Sequence, residues 1–320
     1  MQGILSSLRS ALELICLCCV LFFIVTPVST QETLETEAAF SVVQEQTLSI
    51  PVTVLFSEKT VVMDLEKYLT GVVLAEMPAS FETEALKAQA IAARTYAWKL
   101  TTTASKHSQG AVCTDPTCCQ GYISLEEYLQ KTHCAKNIIR VQEAVRNTAG
   151  IILTFQGEPI EATFFSCSGG FTEDAEAVWG REYPYLTAKE SPGEETAFCF
   201  ETTKTISRAK LEDTLHVWLG SDPNTWFRDW IYTDSGGVYS VCVGDRRFTG
   251  TELRRKLDLN STMFSVETQE DAVTFLVRGY GHRVGLSQYG ANAMAEKGMS
   301  CADILRYYYD GVEFQIIESF

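Results

Sequence analysis

The stretch LAEMPASFETEALKAQAIAARTYAW, Leu74–Trp98, decides how this chain folds. In its first part, Glu76 follows the apolar run GVVLA, and Pro78 ends the helix near Glu76. Its second part, from Glu84 to about Thr101, has a helical pattern built largely of alanine. Because small side chains allow close helix packing, we expect the groups beside this helix to be held rigidly.

Length and composition indicate a globular protein with a substantial core. The chain has 320 residues, of which 46% are hydrophobic and 11% aromatic. This is enough for one large domain or two ordinary ones. Lys and Arg number 26 against 41 Asp and Glu, which gives a net charge of -15. Such a charge repels phosphate backbones, so nucleic acid is excluded as a partner.

The N-terminal segment reads as a targeting sequence. Residues 1–30 carry one positive charge, Arg9, followed by a nearly uninterrupted apolar run from Leu14 to Val28. Cleavage after Thr30 would lack the usual small-x-small pattern, so an uncleaved membrane anchor is favoured over a removed signal segment. Residues 31–49 are polar and acidic and predict a stem. The folded domain is therefore predicted to span residues 50–320, on the outer side of the cell membrane.

Strand and helix patterns follow each other in irregular order after residue 50. This order predicts an α+β fold, a single mixed helix and sheet domain, rather than repeated βαβ units. Strands are predicted at residues 50–56, within 151–165 as a hairpin, and at 238–245, 263–267 and 273–279. Helices are predicted at residues 63–75, 84–101, 125–147, 251–259, 287–297 and 300–309.

Glu76 is the candidate catalytic residue. A glutamate taken alone is most often a solvated surface residue. Here the flanking residues are apolar and Pro78 places the carboxyl at a helix end beside packed atoms. Partial desolvation raises the pKa of a carboxyl group, which then holds its proton near neutral pH and can donate it to a leaving oxygen. The position therefore suits a general acid.

Two side chains at the end of the alanine-rich helix have two readings each. Arg94 and Tyr96 are candidate substrate-binding residues. The alternative is structural: Arg94 pairs with a nearby carboxylate, since structural ion pairs are common, and Tyr96 packs in the core.

A glycine-rich block near the C-terminus predicts a polar binding surface. In GYGHRVGLSQYGANAM, Gly279–Met294, glycines flank His282 and leave space around it. Ser287 is expected to cap the next helix, with Gln288 and Tyr289 in its first turn. These four side chains suit hydrogen bonding to a polyhydroxylated ligand, although a single histidine is more often structural.

Ser166 and Ser168 follow a predicted strand and precede Gly169 and Gly170. They belong either to an ordinary turn or to a third part of the binding groove. Neither Ser166 nor Cys167 is expected to act as a nucleophile, because the G-x-S-x-G spacing of hydrolases is absent.

The segment HSQGAVCTDPTCC is a candidate zinc site. His107, Cys113 and Cys119 follow the spacing His-x5-Cys-x5-Cys, and Cys118 or water would be the fourth ligand of a tetrahedral Zn²⁺. The alternative is a loop disulfide beside an incidental histidine. The remaining cysteines are scattered over a domain too large to need a dense disulfide framework.

Three ordered motifs resemble the stage II sporulation protein D family. These are EMPASF-x-x-EALKAQA-x-AARTYA from Glu76 to Ala97, SxSGG followed by VW from Ser166 to Trp179, and GHxVGxSQYGA ending at Ala291. Members of the family are membrane-anchored lytic transglycosylases with which Gram-positive spore formers remodel septal peptidoglycan.

The resemblance implies a role for each matching residue. It places the single catalytic glutamate at Glu76 and the groove-lining polar block at His282, Ser287, Gln288 and Tyr289. Some members carry a His/Cys zinc loop after the alanine-rich helix, at the place occupied here by the candidate zinc site.

The chain departs from the family at one position of the glycine-rich block. Arg283 stands where the family usually has glycine, directly after the histidine of that block.

The resemblance also implies a mechanism and partners. A glycosidase normally needs two carboxylates. A lytic transglycosylase needs one, because the C6 hydroxyl of muramic acid attacks the anomeric carbon and leaves a 1,6-anhydro end. Implied partners are denuded glycan strands, a peptidoglycan amidase and other engulfment membrane proteins, and Tyr96, Tyr280 and Tyr289 are candidates for stacking on sugars. The alternatives are a non-catalytic glycan-binding scaffold and a zinc-dependent cell-wall amidase.

Overall fold

A computed structural model describes residues 49–57, 59–103, 105–108 and 111–317. The predicted anchor, residues 1–30, and the stem apart from Ser49 lie outside the described residues. Within the described ranges, no helix is both long enough and apolar enough to cross a membrane.

The described chain combines helices with several small sheets, which confirms the α+β prediction. Its α-helices are α1 Leu65–Glu76, α2 Thr83–Thr102, α3 Leu125–Thr132, α4 Ala135–Arg146, α5 Ala175–Trp179, α6 Arg208–Leu215, α7 Gly250–Leu257, α8 Gln288–Glu296 and α9 Cys301–Tyr308. Its strands are β1 Pro51–Phe56, β2 Lys59–Asp64, β3 Val112–Cys113, β4 Ile151–Phe155, β5 Glu158–Pro159, β6 Phe164–Phe165, β7 Glu201–Ser207, β8 Phe227–Tyr232, β9 Val238–Val243, β10 Arg246–Thr249, β11 Met263–Thr268, β12 Ala272–Arg278, β13 Leu286–Ser287 and β14 Glu313–Ile316.

The strands form small sheets, most of them antiparallel. Their strand orders are β2-β1-β3, β14-β4-β5, β13-β6, β11-β12-β7 and β10-β9-β8. The pairings of β3 with β1 and of β13 with β6 are parallel. The β13-β6 pair brings the Ser287 segment beside the Ser166 segment, two motifs that lie far apart in the sequence.

The alanine-rich helix α2 is the centre of the first core. It contacts α1, α4, α8, α9 and β4. Its fully buried alanines are Ala85, Ala88, Ala90, Ala92, Ala93 and Ala97. Helix α1 also packs closely against its surroundings at Gly71. A Cβ added there would lie 2.4 Å from a ring carbon of Tyr122. The expectation that this helix packs closely against its neighbours is confirmed.

A second apolar core contains residues of β7, β8, β9, β11, β12, α6 and α7. The fully buried Trp226 is its largest member, and its indole N–H donates to the carbonyl of Gly220 at 2.7 Å. This core supports the sheets on which the C-terminal motif depends, because β12 leads directly into Gly279.

One predicted helix is two helices in the structure. The expected helix over residues 125–147 divides into α3 and α4, because His133 adopts a left-handed backbone with φ of 53° and ends α3. The eight cysteines of the described residues form no disulfide.

Candidate active site

A cavity of about 670 Å³ lies around the carboxyl group of Glu76. The ends of α1 and α2 contribute Glu76 and Tyr96 to its lining. The cysteine loop, defined here as residues 105–119, adds Lys106 and Cys119, and the β6 segment adds Ser166. The cavity therefore joins parts of the chain that carry all of the motifs described above.

Glu76 is the last residue of α1, and it ends the helix because Pro78 follows. Its carboxyl is half-buried, and Oε1 accepts a hydrogen bond from the backbone N–H of Gly121. Burial raises the pKa of this carboxyl above its ordinary value, and the Gly121 bond opposes that effect less strongly. The C-terminal end of the helix dipole also disfavours the charged form. Glu76 therefore retains its proton to a higher pH than a free glutamate.

Gly121 is a part of the site that the sequence did not single out. A Cβ at this position would lie 2.9 Å from Oε1 of Glu76, so the absence of a side chain permits the contact. Its only sequence signal is a glycine two residues after Cys119.

His282 lines the cavity between two aromatic rings. The ring centroids of Phe165 and Trp179 each lie 5.5 Å from its imidazole. Its Nδ1 accepts the backbone N–H of Val284 at 3.1 Å. Burial, with a smaller effect from the positive charge of Arg254, lowers the pKa of His282 to about 4. The imidazole is therefore neutral at physiological pH.

Three further predicted residues also line the cavity. The hydroxyl of Tyr96 accepts a hydrogen bond from Nζ of Lys106 at 2.7 Å, and burial raises the pKa of this tyrosine. Ser166 is half-buried, and the amide of Gln288 donates to Oε1 of Gln89 at 3.3 Å. These polar groups give the cavity donors and acceptors of the kind that bind sugar hydroxyls.

Arg94 lies in the core and not in the cavity, which corrects its assignment as a substrate-binding residue. Its guanidinium is fully buried. It donates to both carboxylate oxygens of Glu66, at 2.8 and 2.6 Å, and to the carbonyls of Ile151 and Val145 at 3.1 and 3.2 Å. The structural alternative, a paired core arginine, is the one that the geometry supports.

Ser168 and Ser287 also lie outside the cavity, because both are bonded to one buried carboxylate. The hydroxyl of Ser168 donates to Oε2 of Glu194 at 2.8 Å, and that of Ser287 to Oε1 at 2.5 Å. Ser287 caps α8 as predicted, since its hydroxyl accepts the N–H of Gly290 at 3.3 Å. The assignment of these two serines to substrate binding is corrected to a structural role.

Tyr289 is not among the residues that line the cavity. Its half-buried ring packs edge-on against Phe81 at 5.0 Å and Phe198 at 6.2 Å. Of the three tyrosines proposed for stacking on sugars, Tyr96 and Tyr280 line the cavity.

Arg283 keeps the backbone conformation that a glycine would adopt. Its φ is 66°, in the left-handed region. The buried guanidinium donates to the carbonyls of Ser168 and Phe171, both at 2.8 Å, and pairs with Glu173 at 3.1 Å. These bonds hold the guanidinium in a buried network, and His282 still lines the cavity.

The cysteine loop brings four potential zinc ligands together. The ligand atoms of His107, Cys113, Cys118 and Cys119 lie within 4.8 Å of one another. Sγ of Cys118 lies 3.4 Å from Nε2 of His107 and 4.0 Å from Sγ of Cys119. Zn–S bonds of about 2.3 Å imply tetrahedral edges of about 3.8 Å, so this donor set fits Zn²⁺. The sequence left the fourth zinc ligand open between Cys118 and water, and the structure places Cys118 beside the other three candidates.

Nothing in the sequence indicated that two cationic side chains would line the cavity. Lys106 and Arg181 both contribute to its lining, and Trp179, at the end of α5, lies near Arg181 in the sequence. The sequence-based expectations for sugar recognition were hydrogen bonding and stacking, and the chain as a whole is acidic. Local charge was not accessible from overall composition.

Comparison with known proteins places these features in a family. The family model described as stage II sporulation protein matches residues 57–155. The stage II sporulation protein D of Bacillus amyloliquefaciens is 37% identical over 290 residues, covering 89% of this chain and 84% of that protein. That of Bacillus subtilis strain 168 is 37% identical over 277 residues, covering 85% and 80%. An amidase enhancer of Bacillus subtilis strain 168 is 31% identical over 301 residues, which cover 76% of this chain and 39% of that protein.

Proposed function

The chain belongs to the stage II sporulation protein D family, and from this premise we propose that it is a membrane-anchored lytic transglycosylase. It cleaves denuded peptidoglycan strands between N-acetylmuramic acid (MurNAc) and N-acetylglucosamine (GlcNAc), and it leaves 1,6-anhydro ends. It acts at the septal or engulfing membrane during engulfment in sporulation.

The observation that carries this proposal is the environment of Glu76. A carboxyl with a raised pKa faces a polar cavity large enough for sugar rings. The other carboxylate that lines the cavity, Glu161, lies 3.6 Å from Nζ of Lys99. One protonated acid in a sugar-sized cavity is the minimum that transglycosylation requires.

In the proposed reaction Glu76 first donates its proton to the glycosidic oxygen, and the bond to the MurNAc anomeric carbon breaks. The carboxylate then accepts the proton of the C6 hydroxyl as that oxygen bonds to the anomeric carbon. The N–H of Gly121 stabilises the carboxylate between the two steps. Acid and base action of this kind contributes about 10²- to 10⁴-fold in rate, and positioning in the cavity supplies more.

A bound zinc ion is part of the proposal in a structural role. His107, Cys113, Cys118 and Cys119 would hold it. The ion would fix the cysteine loop, which lines the cavity and leads to Gly121. The N–H of Gly121 would then stay in position to donate its hydrogen bond to Glu76.

Stacking and protein partners complete the proposal. The rings of Tyr96, Tyr280 and Trp179 line the cavity and suit the apolar faces of sugars. Because a relative of this chain carries the name amidase enhancer, an amidase that removes stem peptides is the proposed partner, together with other engulfment membrane proteins.

The decisive experiment is digestion of denuded glycan strands by the full-length chain, followed by mass spectrometry of the products. A 1,6-anhydro end is one water lighter than a reducing end, and Glu76→Gln should abolish its formation. Reducing ends instead would refute the transglycosylase and point to Glu161 as a second carboxylate, which Glu161→Gln would test. Glycan binding without cleavage would indicate the scaffold alternative. Release of peptides that stops on chelation would indicate the amidase.

A further inference from the structure

Two cationic side chains line the cavity around Glu76. Lys106 and Arg181 both line it, in a chain whose net charge is -15. Among the residues that the structure describes, neither forms an ion pair. Glu161, which also lines the cavity, is paired with Lys99 instead, and two cations without an ion-pair partner favour an anionic ligand.

Arg181 has the geometry of a carboxylate receptor. It is exposed and follows Gly180, whose left-handed backbone ends α5. Its guanidinium carbon lies 4.9 Å from the centroid of the Tyr183 ring. Stacking on an aromatic ring orients the guanidinium plane and leaves its N–H groups free at the edge. That edge matches the two oxygens of a carboxylate.

Lys106 is held in place by two acceptors and keeps one donor. Its Nζ donates to the hydroxyl of Tyr96 and to the carbonyl of Cys118, both at 2.7 Å. An ammonium group has three N–H donors, so one remains for a ligand.

We propose that Arg181 binds the free lactyl carboxylate of a muramic acid residue, with Lys106 contributing positive potential in the same cavity. The inference rests on the proposed function, because it names the group of the glycan that these cations recognise. In a glycan strand the lactyl ether carries the carboxylate of MurNAc. When a stem peptide is attached, that carboxyl is an uncharged amide. The two cations therefore select muramic residues from which the peptide has been removed.

The test compares two glycan substrates and two charge-matched variants of the full-length chain. One substrate has free lactyl carboxylates, and in the other they are converted to methyl esters, which removes the charge with little added bulk. Arg181→Gln removes the proposed receptor. Arg255→Gln is the control, because it makes the same charge change at an exposed position outside the cavity.

Wild-type protein and Arg255→Gln should show a KM roughly 1.5- to 5-fold lower for the free carboxylate strand, the range expected for an exposed charged pair. Arg181→Gln should lose this preference with little change in kcat, and added salt should reduce the preference in the wild type. Equal KM values for the two substrates in the wild type, with anhydro products formed from both, would overturn the inference and leave the proposed function intact.

Binding measured in the absence of cleavage separates the two hypotheses. Glu76→Gln, titrated with each strand by calorimetry, should still bind the free carboxylate strand more tightly. If the wild type cleaves neither strand, the proposed function fails, while this preference in binding would still support recognition of the carboxylate. Equal binding of both strands would refute that recognition.

Discussion

Replacement of Arg94 by methionine tests whether this residue serves the fold or the substrate. Methionine fills similar space without charge. The change removes a two-pronged ion pair to Glu66, with N–O distances of 2.8 and 2.6 Å, and the donors to two buried carbonyls, those of Ile151 and Val145. Glu66 would keep the N–H of Gly150 at 3.0 Å as a partner.

The expected cost follows from these lost contacts. Breaking a buried pair by removing one partner typically costs about 3–5 kcal/mol of unfolding free energy. Because a domain of this size class shifts by about 2–4 °C in Tm per kcal/mol, the melting temperature should fall by roughly 6–20 °C. Glu66→Gln in the same chain should recover part of the loss, because it removes the unpaired charge.

Calorimetry and steady-state kinetics together check this prediction. Below the lowered Tm, KM and kcat of Arg94→Met on glycan strands should match the wild type, because Arg94 does not line the cavity. An unchanged Tm with a raised KM would refute the reasoning and return Arg94 to the substrate site.

Three further predictions address the cavity directly. Gly121→Ala places a Cβ 2.9 Å from a carboxylate oxygen of Glu76, and since that side chain can move, activity should fall by up to about 100-fold with little loss of Tm. Gly220→Ala, whose Cβ would meet nothing closer than 3.8 Å, is the control, and equal effects of both variants on activity would contradict the prediction. His107→Ala should abolish zinc binding measured by elemental analysis and lower the Tm, whereas a zinc-free wild type of equal stability would refute a structural metal. The pKa of His282 is lowered to about 4, so its neutral form is favoured by folding: this contribution to stability is present above about pH 6.5 and is lost as the pH falls through 4. An NMR titration of the imidazole with a midpoint near 6.5 would contradict this prediction.

The main elements of the fold and the position of Glu76 follow from local sequence patterns. Pro78 ends α1 whatever the helix packs against, because proline disfavours a helical backbone at the residue before it. The pattern of alanines in α2 has the period of a helix. Burial of Glu76 was predictable for the same reason, since its apolar neighbours are adjacent in the chain.

The roles that were mistaken depend on contacts between distant residues. Ser168 and Ser287 look like ligand-binding hydroxyls in a local reading, but both face Glu194, which is 26 and 93 residues away respectively. Arg94 likewise depends on Glu66, 28 residues earlier. No local pattern identifies such a partner, so the bonded serines and the paired arginine could not be distinguished from substrate-binding groups.

The buried carboxylate of Glu194 has a consequence for how the sequence can vary. It joins the SxSGG motif to the SQYG motif, and it also accepts the hydroxyl of Ser191 at 2.6 Å. A change at Ser168 or Ser287 alone would remove one donor, and the carboxylate would keep others such as the N–H of Gly169 and the hydroxyl of Ser191. Replacement of Glu194 would instead deprive both serine hydroxyls of their carboxylate acceptor, so two motifs that resemble independent signatures depend on one side chain.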